Sequence, residues 1–188
     1  MKKIVIFASG SGSNTEKIIT HFENNNTISI IKIVTNKPNA KVLNVASKHS
    51  IATQIINKEE LDKENLLKQL INIDPDLIVL AGFLLKFPES IISHFPNKII
   101  NIHPSLLPKY GGKGMYGLHV HQTVLDNKEV ESGITIHYVN NNYDEGKFIF
   151  QKSVNIEHCK TPEEIADKIH TLEHQYFPEI IERLLTNY

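Results

Sequence analysis

Cysteine is almost absent from this chain, which has only Cys159 in 188 residues. A single cysteine excludes an internal disulfide and is typical of a reducing compartment. Long apolar runs are missing as well, since no segment approaches the roughly 20 residues that a membrane span requires. The formal net charge is -1, so the chain as a whole attracts neither nucleic acid nor an anionic membrane. We therefore expect a cytoplasmic protein without a nucleic-acid or membrane partner.

Repeats, low-complexity tracts and linkers are also missing from the sequence. The hydrophobic fraction of 40% and the charged fraction of 22% are those of a soluble globular protein. The length suffices for one domain with a full core and is too short for two ordinary ones. We predict a single domain over residues 1–188.

Strand and helix signals alternate over the first hundred residues, which predicts βαβ units and a parallel sheet. The strand-like apolar runs are Lys3 to Ala8, Ile28 to Val34, Ala52 to Ile56, Asp76 to Ala81 and Lys98 to Ile102. Later runs, Gly133 to Val139 and Lys147 to Ile156, flank a short polar turn, which favours an antiparallel pair. Thr161-Pro162 then starts a long terminal helix, with a kink expected at Pro178. The predicted fold class is α/β: a Rossmann-like, doubly wound, mostly parallel sheet with a C-terminal antiparallel pair and a long terminal helix.

The most informative polar residues, Asn101 and His103, lie where the fifth predicted strand ends. Ligands of open α/β sheets bind at the carboxyl ends of the strands, and alternation puts both side chains on one face. Pro104 and Pro108 stiffen the loop that follows. A further polar turn carries Asp144, whose carboxylate is expected to stabilise a His103 imidazolium and raise its pKa. A capped strand end with a core histidine is the structural alternative.

Neither a serine nor a cysteine elbow stands beside His103. That argues against a covalent acyl-enzyme and favours direct transfer from a donor to an acceptor. Asn101 and His103 are therefore predicted to serve acyl chemistry by stabilising charge and moving protons.

Gly10-Ser11-Gly12-Ser13-Asn14 lies between a predicted strand and a helix, where backbone N–H groups and the helix dipole favour an anion. Dinucleotide binding is disfavoured, because position 15 is Thr rather than Gly and Thr35-Asn36-Lys37 stands where an acidic residue is expected. We predict a single phosphate monoester here. The alternative is a glycine-serine turn that binds nothing.

His170-Thr171-Leu172-Glu173-His174 matches the H-x-x-E-H arrangement of one class of metalloproteases. Such a site needs a third ligand, commonly a distal carboxylate, and few residues follow His174. We therefore expect no metal. His170 and Glu173 are interpreted as substrate contacts or solvated surface groups.

The chain resembles the phosphoribosylglycinamide formyltransferases, a family of folate-dependent enzymes of purine synthesis, over nearly its whole length. The resemblance is carried by the Gly-Ser-Gly-Ser-Asn loop, Asp74-Pro75-Asp76, Leu80-Ala81-Gly82-Phe83, Asn101 to Tyr110, Gly117-Leu118-His119, Asp144 and Glu173-His174. The segment around Asn101 is shared by folate-dependent formyltransferases and hydrolases in general. The phosphate loop and the short chain favour the glycinamide ribonucleotide branch.

The resemblance implies a reaction in de novo purine biosynthesis. The formyl group of 10-formyltetrahydrofolate would pass to the amine of 5′-phosphoribosylglycinamide, giving formylglycinamide ribonucleotide and tetrahydrofolate. It also implies small-molecule substrates only, a folate cosubstrate, no metal, and a monomer or weak homodimer.

The resemblance also assigns residues to roles. The implied catalytic residues are Asn101, His103 and Asp144. Substrate phosphate and ribose would contact Gly10, Ser11, Gly12, Ser13, Asn14, His170 and Glu173. The folate would lie against Phe83, Leu84, Leu85, Lys86, Phe87, Asn101, Asn140 and Tyr143. Residues 1–100 would form a phosphate-binding βα half, and residues 101–188 a catalytic and folate-binding half.

Two departures from the family pattern lie on the folate side. Leu85-Lys86 stands where several relatives have an arginine and an apolar residue, and Asp144-Glu145-Gly146-Lys147 replaces a common Asp-x-Gly-x-Pro turn. The glycine-rich segment 111–117 is a candidate lid. Two rival functions remain open: a hydrolase or formyltransferase with another acceptor, and a non-catalytic nucleotide-binding module.

Overall fold

The computed structural model describes residues 1–186, and its seven strands form one sheet in the order β3-β2-β1-β4-β5-β6-β7. The strands are β1 Lys2–Phe7, β2 Ile28–Thr35, β3 Ala52–Ile55, β4 Leu77–Leu80, β5 Ile99–His103, β6 Glu131–Tyr138 and β7 Phe148–Asn155. The first five strands are parallel to one another. Strand β6 pairs antiparallel with β5, and β7 pairs antiparallel with β6. The predicted mostly parallel sheet with a C-terminal antiparallel pair is confirmed. Residues 187 and 188 of the predicted domain lie outside the described residues.

Helices connect the parallel strands, as the alternation of strand and helix signals predicts. The helices are α1 Ser13–Phe22, α2 Val42–Lys48, α3 Lys58–Leu61, α4 Glu64–Ile73, α5 Glu89–His94, α6 Leu118–Asp126 and α7 Pro162–Thr186. Apolar residues recur at helical spacing from Leu61 to Ile71, which by itself predicts one helix, but they belong to two. Asn57 and Glu60 form a capping box that starts α3, because each side chain bonds the other residue's backbone N–H. Lys63 then has an extended backbone, with ψ 145°, which separates α3 from α4.

Helices cover both faces of the sheet, as a doubly wound fold requires. Side chains alternate along β1, so Ile4 and Ile6 join one buried cluster, while Val5 and Phe7 join the other. The first cluster includes residues of α1, α2, α6 and α7, and the second includes residues of α3, α4 and α5. The long terminal helix is confirmed. Pro178 is buried within α7, and the kink there remains a prediction.

The order of the strands reverses between β1 and β4, which are neighbours at the centre of the sheet. Connections leave this point in opposite directions, so a crevice opens beyond the carboxyl ends of the two strands. Within residues 1–186, no helix is long and apolar enough to cross a membrane.

Candidate active site

A cavity of about 680 Å³ opens at the crevice between β1 and β4. All of the site residues predicted from the sequence line it: Gly10, Ser11, Gly12, Ser13, Asn14, Phe83, Leu84, Leu85, Lys86, Phe87, Asn101, His103, Asn140, Tyr143, Asp144, His170 and Glu173. These residues come from segments that are far apart in the sequence, and the fold brings them to one place. Their individual roles remain predictions.

Asp144 lies at the centre of a polar cluster. Its Oδ2 accepts a hydrogen bond from the Gly112 N–H at 2.9 Å and lies 3.5 Å from His103 Nδ1. Its Oδ1 is 3.4 Å from Asn101 Nδ2 and 3.6 Å from His137 Nε2. Burial opposes ionisation of Asp144, but His137, His103 and the Gly112 N–H outweigh it and lower the pKa of the carboxyl. The pairing of Asp144 with His103 that the sequence suggested is present.

The turn that carries Asp144 has a demanding backbone. Asp144 has φ 56°, in the left-handed region, and a Cβ at Gly146 would lie 1.6 Å from the Tyr138 carbonyl oxygen. Only glycine allows that approach. The Asp-x-Gly part of the family turn is therefore retained because the chain must pack closely against the end of β6.

His103 differs from the expectation in its protonation. It is 3% exposed, and this burial lowers the pKa of its imidazole below the ordinary value, although Asp144 raises it. The expectation of a raised pKa was wrong for the free protein. Because Tyr110 offers a carbonyl oxygen 2.8 Å from Nε2, that nitrogen carries the proton of the neutral ring. Nδ1 then faces Asp144 without a proton and can accept one.

His137 is a site residue that sequence reasoning missed. Its Nδ1 donates to the Tyr138 carbonyl oxygen at 2.9 Å, so Nε2 is free to accept from Asn101 Nδ2 at 3.2 Å. The antiparallel pairing of β5 and β6 places His137 directly opposite Asn101. The sequence shows a histidine at position 137, but only the register of β5 against β6 indicates that it lies beside Asn101.

The loop after His103 is held in place by β6. The Thr135 hydroxyl donates to the Ser105 carbonyl oxygen at 2.7 Å and accepts from the Leu107 N–H at 3.0 Å. The Ser105 hydroxyl donates to the Lys109 carbonyl oxygen at 2.8 Å. These bonds, together with the prolines, make the predicted stiff loop.

The glycine-serine loop ends at the N-terminus of α1 and lines the same cavity. Gly12 has φ 81°, and a Cβ there would lie 2.8 Å from the Val42 Cα. Gly12 supplies no side-chain cap, and the Ser13 N–H makes only a long bond, 3.4 Å, to Ser11 Oγ. The N-terminus of α1 can therefore bind an anion. Thr15, at the position of the missing third glycine, is fully buried in the core.

Glu173 of α7 is 4% exposed and joins the loop to the terminal helix. Its Oε2 accepts from Asn14 Nδ2 and from His170 Nδ1, both at 2.9 Å. The hydrogen bond to Glu173 raises the pKa of His170. The His170 and His174 rings are stacked, with centroids 5.9 Å apart. No group of three or more possible metal ligands occurs among residues 1–186.

The predicted folate side contains both core and exposed side chains. Phe83 and Phe87 are buried, and their rings pack edge-on against Phe7, with centroids 5.3 and 5.0 Å apart. Leu84 is 37% exposed, and Lys86 is also exposed. The phenylalanines therefore form the wall behind the pocket, and the residues between them present surface to a ligand.

Residues 112–117 of the glycine-rich segment contribute to the cavity lining. Met115 and Tyr116 are among them, and the N–H of Gly112 bonds to Asp144. His121, just beyond in α6, also lines the cavity, although sequence reasoning left it unused. Burial lowers the pKa of His121 to about 4, so its ring is neutral at physiological pH.

Comparisons with known proteins agree with this geometry. The model of the formyl transferase family matches residues 2–181. The phosphoribosylglycinamide formyltransferase of Bacillus subtilis is 36% identical over 191 residues, which cover 98% of this chain and 95% of that protein. The chloroplastic enzyme of the same name from Arabidopsis thaliana is 35% identical over 187 residues, or 96% of this chain. The chain spans only 64% of the length of that plant protein.

Solved structures show the same likeness. The crystal structure of phosphoribosylglycinamide formyltransferase from Bacillus halodurans aligns with a TM-score of 0.88 at 32% identity, over 98% of this chain and 96% of that one. The family match over residues 2–181 and the similarity of the whole fold lead to the same assignment. This chain belongs to the formyl transferase family.

Proposed function

We propose that this protein transfers the formyl group of 10-formyltetrahydrofolate to the amine of 5′-phosphoribosylglycinamide, in keeping with the name of its Bacillus subtilis relative, a phosphoribosylglycinamide formyltransferase. The observation that carries the proposal is the placement of Asn101, His103 and Asp144 in one cavity with the N-terminus of α1. The three side chains suit acyl transfer, because they can stabilise an oxyanion and move protons. The helix N-terminus suits a phosphate. The products are formylglycinamide ribonucleotide and tetrahydrofolate.

The reaction is a direct transfer. The substrate amine attacks the formyl carbon, a C–N bond forms, and the carbonyl oxygen becomes an oxyanion. Asn101 Nδ2 and a protonated His103 donate hydrogen bonds to that oxygen. The bond from the formyl carbon to the folate nitrogen then breaks, and the proton lost by the amine reaches that nitrogen through the His103–Asp144 pair.

The resting cluster must exchange partners for this step. Asn101 Nδ2 lies within hydrogen-bond distance of His137 Nε2 and Asp144 Oδ1, and His103 Nε2 donates to the Tyr110 carbonyl oxygen. These contacts hold both donors ready and satisfied in the absence of substrate. The ionised Asp144 favours proton uptake by His103 as negative charge develops.

The remaining assignments follow from the same cavity. The Gly10 to Asn14 loop holds the phosphate, with Glu173 and His170 at the ribose or amine end. The pterin lies by Leu84, between the 83–87 segment and the turn that carries Asn140 and Tyr143. The halves 1–100 and 101–188 both contribute walls, so the catalytic unit is the single domain. The protein acts on small molecules as a monomer or weak homodimer.

One assay separates the proposed function from its rivals. The purified protein is mixed with 10-formyltetrahydrofolate and glycinamide ribonucleotide, and the products are identified by mass. We expect the formylated ribonucleotide and tetrahydrofolate. Formate release without transfer would indicate a hydrolase, and unchanged substrates would indicate a binding module.

The phosphate assignment predicts a preference for the phosphorylated acceptor. The dephosphorylated ribonucleoside should show a KM more than tenfold higher than glycinamide ribonucleotide, because hydrogen bonds to a charged group are each worth roughly 1.5–3 kcal/mol. Steady-state kinetics with both acceptors measure this directly, and equal KM values would contradict the assignment.

Two variants of the glycine-serine loop differ in how well they test phosphate binding. Ser13→Ala should raise KM only modestly, because the backbone N–H is retained. Gly12→Val is unsuitable as a binding test, since any Cβ at Gly12 would collide with Val42. Its loss of activity would report a shifted loop as much as a blocked phosphate.

A further inference from the structure

Ser9 connects the two substrate sides of the cavity. It lies just beyond the end of β1 and is 2% exposed. Its hydroxyl donates to Asn36 Oδ1 at 2.5 Å and accepts from the Leu84 N–H at 3.0 Å. Its own N–H donates to the Gly82 carbonyl oxygen at 3.0 Å. One buried side chain thus joins the segments that follow β1, β2 and β4.

The position of Ser9 is the point where the strand order reverses. The glycine-serine loop begins at the next residue, Gly10, and the segment 82–87 follows the neighbouring strand β4. Ser9 therefore connects the start of the proposed phosphate side directly to the proposed folate side. Asn36, by comparison, lies behind it and does not line the cavity.

The segment after β4 needs this anchor. Residues 81–88 form neither a helix nor a strand, so their backbone N–H groups lack the partners that regular structure provides. The Ser9 hydroxyl supplies an acceptor for the N–H of Leu84, an exposed residue of the proposed pterin wall. Because Ser9 donates its only hydroxyl proton to Asn36, its lone pairs are left facing the Leu84 N–H.

We infer that Ser9 is a positioning residue that holds the 82–87 segment against the phosphate loop and thereby sets the distance between the two bound substrates. This rests on the proposed function. Ser9 acts through Leu84 and need not touch the formyl group. Asn36 contributes by fixing the orientation of the Ser9 hydroxyl.

The first test is kinetic. Ser9→Ala leaves the Leu84 N–H without its acceptor, and we expect the KM for the folate substrate to rise about tenfold while kcat falls less than about threefold. Asn36→Ala, away from the cavity, should raise the same KM about threefold. The matched control is Ser132→Ala, since Ser132 is 3% exposed and its buried Oγ has no hydrogen-bond partner. It should leave the KM values for both substrates unchanged.

The second test needs no substrate. Hydrogen exchange of the Leu84 amide, followed by NMR, should accelerate about tenfold in Ser9→Ala and remain unchanged in Ser132→Ala. An unchanged folate KM in Ser9→Ala would overturn the inference, and so would an unchanged Leu84 exchange rate. If the wild-type protein transfers no formyl group, the proposed function fails, whereas the exchange experiment still decides whether Ser9 holds Leu84.

Discussion

Replacing His103 by alanine is expected to lower kcat about 10²- to 10⁴-fold, the usual range for a positioned acid–base group. Asp144→Asn should have an effect of similar size, because its carboxylate lies 3.5 Å from His103 Nδ1 and favours the charged imidazole. The two residues are expected to act as one unit. The double variant should therefore be little worse than the poorer single variant, which a double-mutant cycle with steady-state kinetics measures.

Burial makes folding the first control for this cycle. His103 is almost fully buried, so each variant should be compared with the wild type by thermal unfolding, and His103→Asn provides a polar replacement. His94→Ala is the matched control, since His94 is exposed on α5 and does not line the cavity. Strictly additive losses in folded variants would show that the two residues work separately.

The Asp144→Asn variant also predicts a shift in the pH–rate profile. Burial already lowers the pKa of His103, and Asp144 is the main group that raises it. Removing the charge must therefore lower this pKa further, and the limb of the profile that reports His103 should move to lower pH. Initial rates measured from acidic to mildly alkaline pH would show the shift. A limb that stays in place would show that Asp144 does not set the protonation of His103.

The second large effect is expected at Asn101. Asn101→Ala should lower kcat about 10²- to 10³-fold with little change in KM, as for the loss of one donor to a developing oxyanion. Steady-state kinetics on both substrates separate the two parameters. Because Asn101 Nδ2 also contacts His137 and Asp144, part of this loss would come from loosening the cluster.

The share of the Asn101→Ala loss that comes from loosening the cluster can be measured with a separate variant. His137→Phe removes the acceptor for Asn101 but keeps a ring of similar shape, and we expect a loss in kcat smaller than that of Asn101→Ala. The exposed Asn72 of α4 supplies the matched control, Asn72→Ala, which should behave like the wild type. An Asn101→Ala effect confined to KM would mean that Asn101 positions the ground state instead.

Local patterns in the sequence determined the elements of this fold. Apolar runs and helical stripes predicted all seven strands and most helices, because burial on one or two faces leaves a period that can be read directly. The same reasoning placed Asn101 and His103 at the end of β5 and Gly12 before α1. The break between α3 and α4 at Lys63 escaped it, since apolar residues recur at helical spacing on both sides of that break.

Only the tertiary structure decided which distant groups meet and what their surroundings do to them. The register of β5 against β6 placed His137 beside Asn101, and the reversal of strand order placed Ser9 beside Leu84. No local pattern encodes such contacts, because they depend on the order and packing of whole strands. The lowered pKa of His103 has the same origin, since the burial that outweighs its carboxylate neighbour is a property of the folded chain.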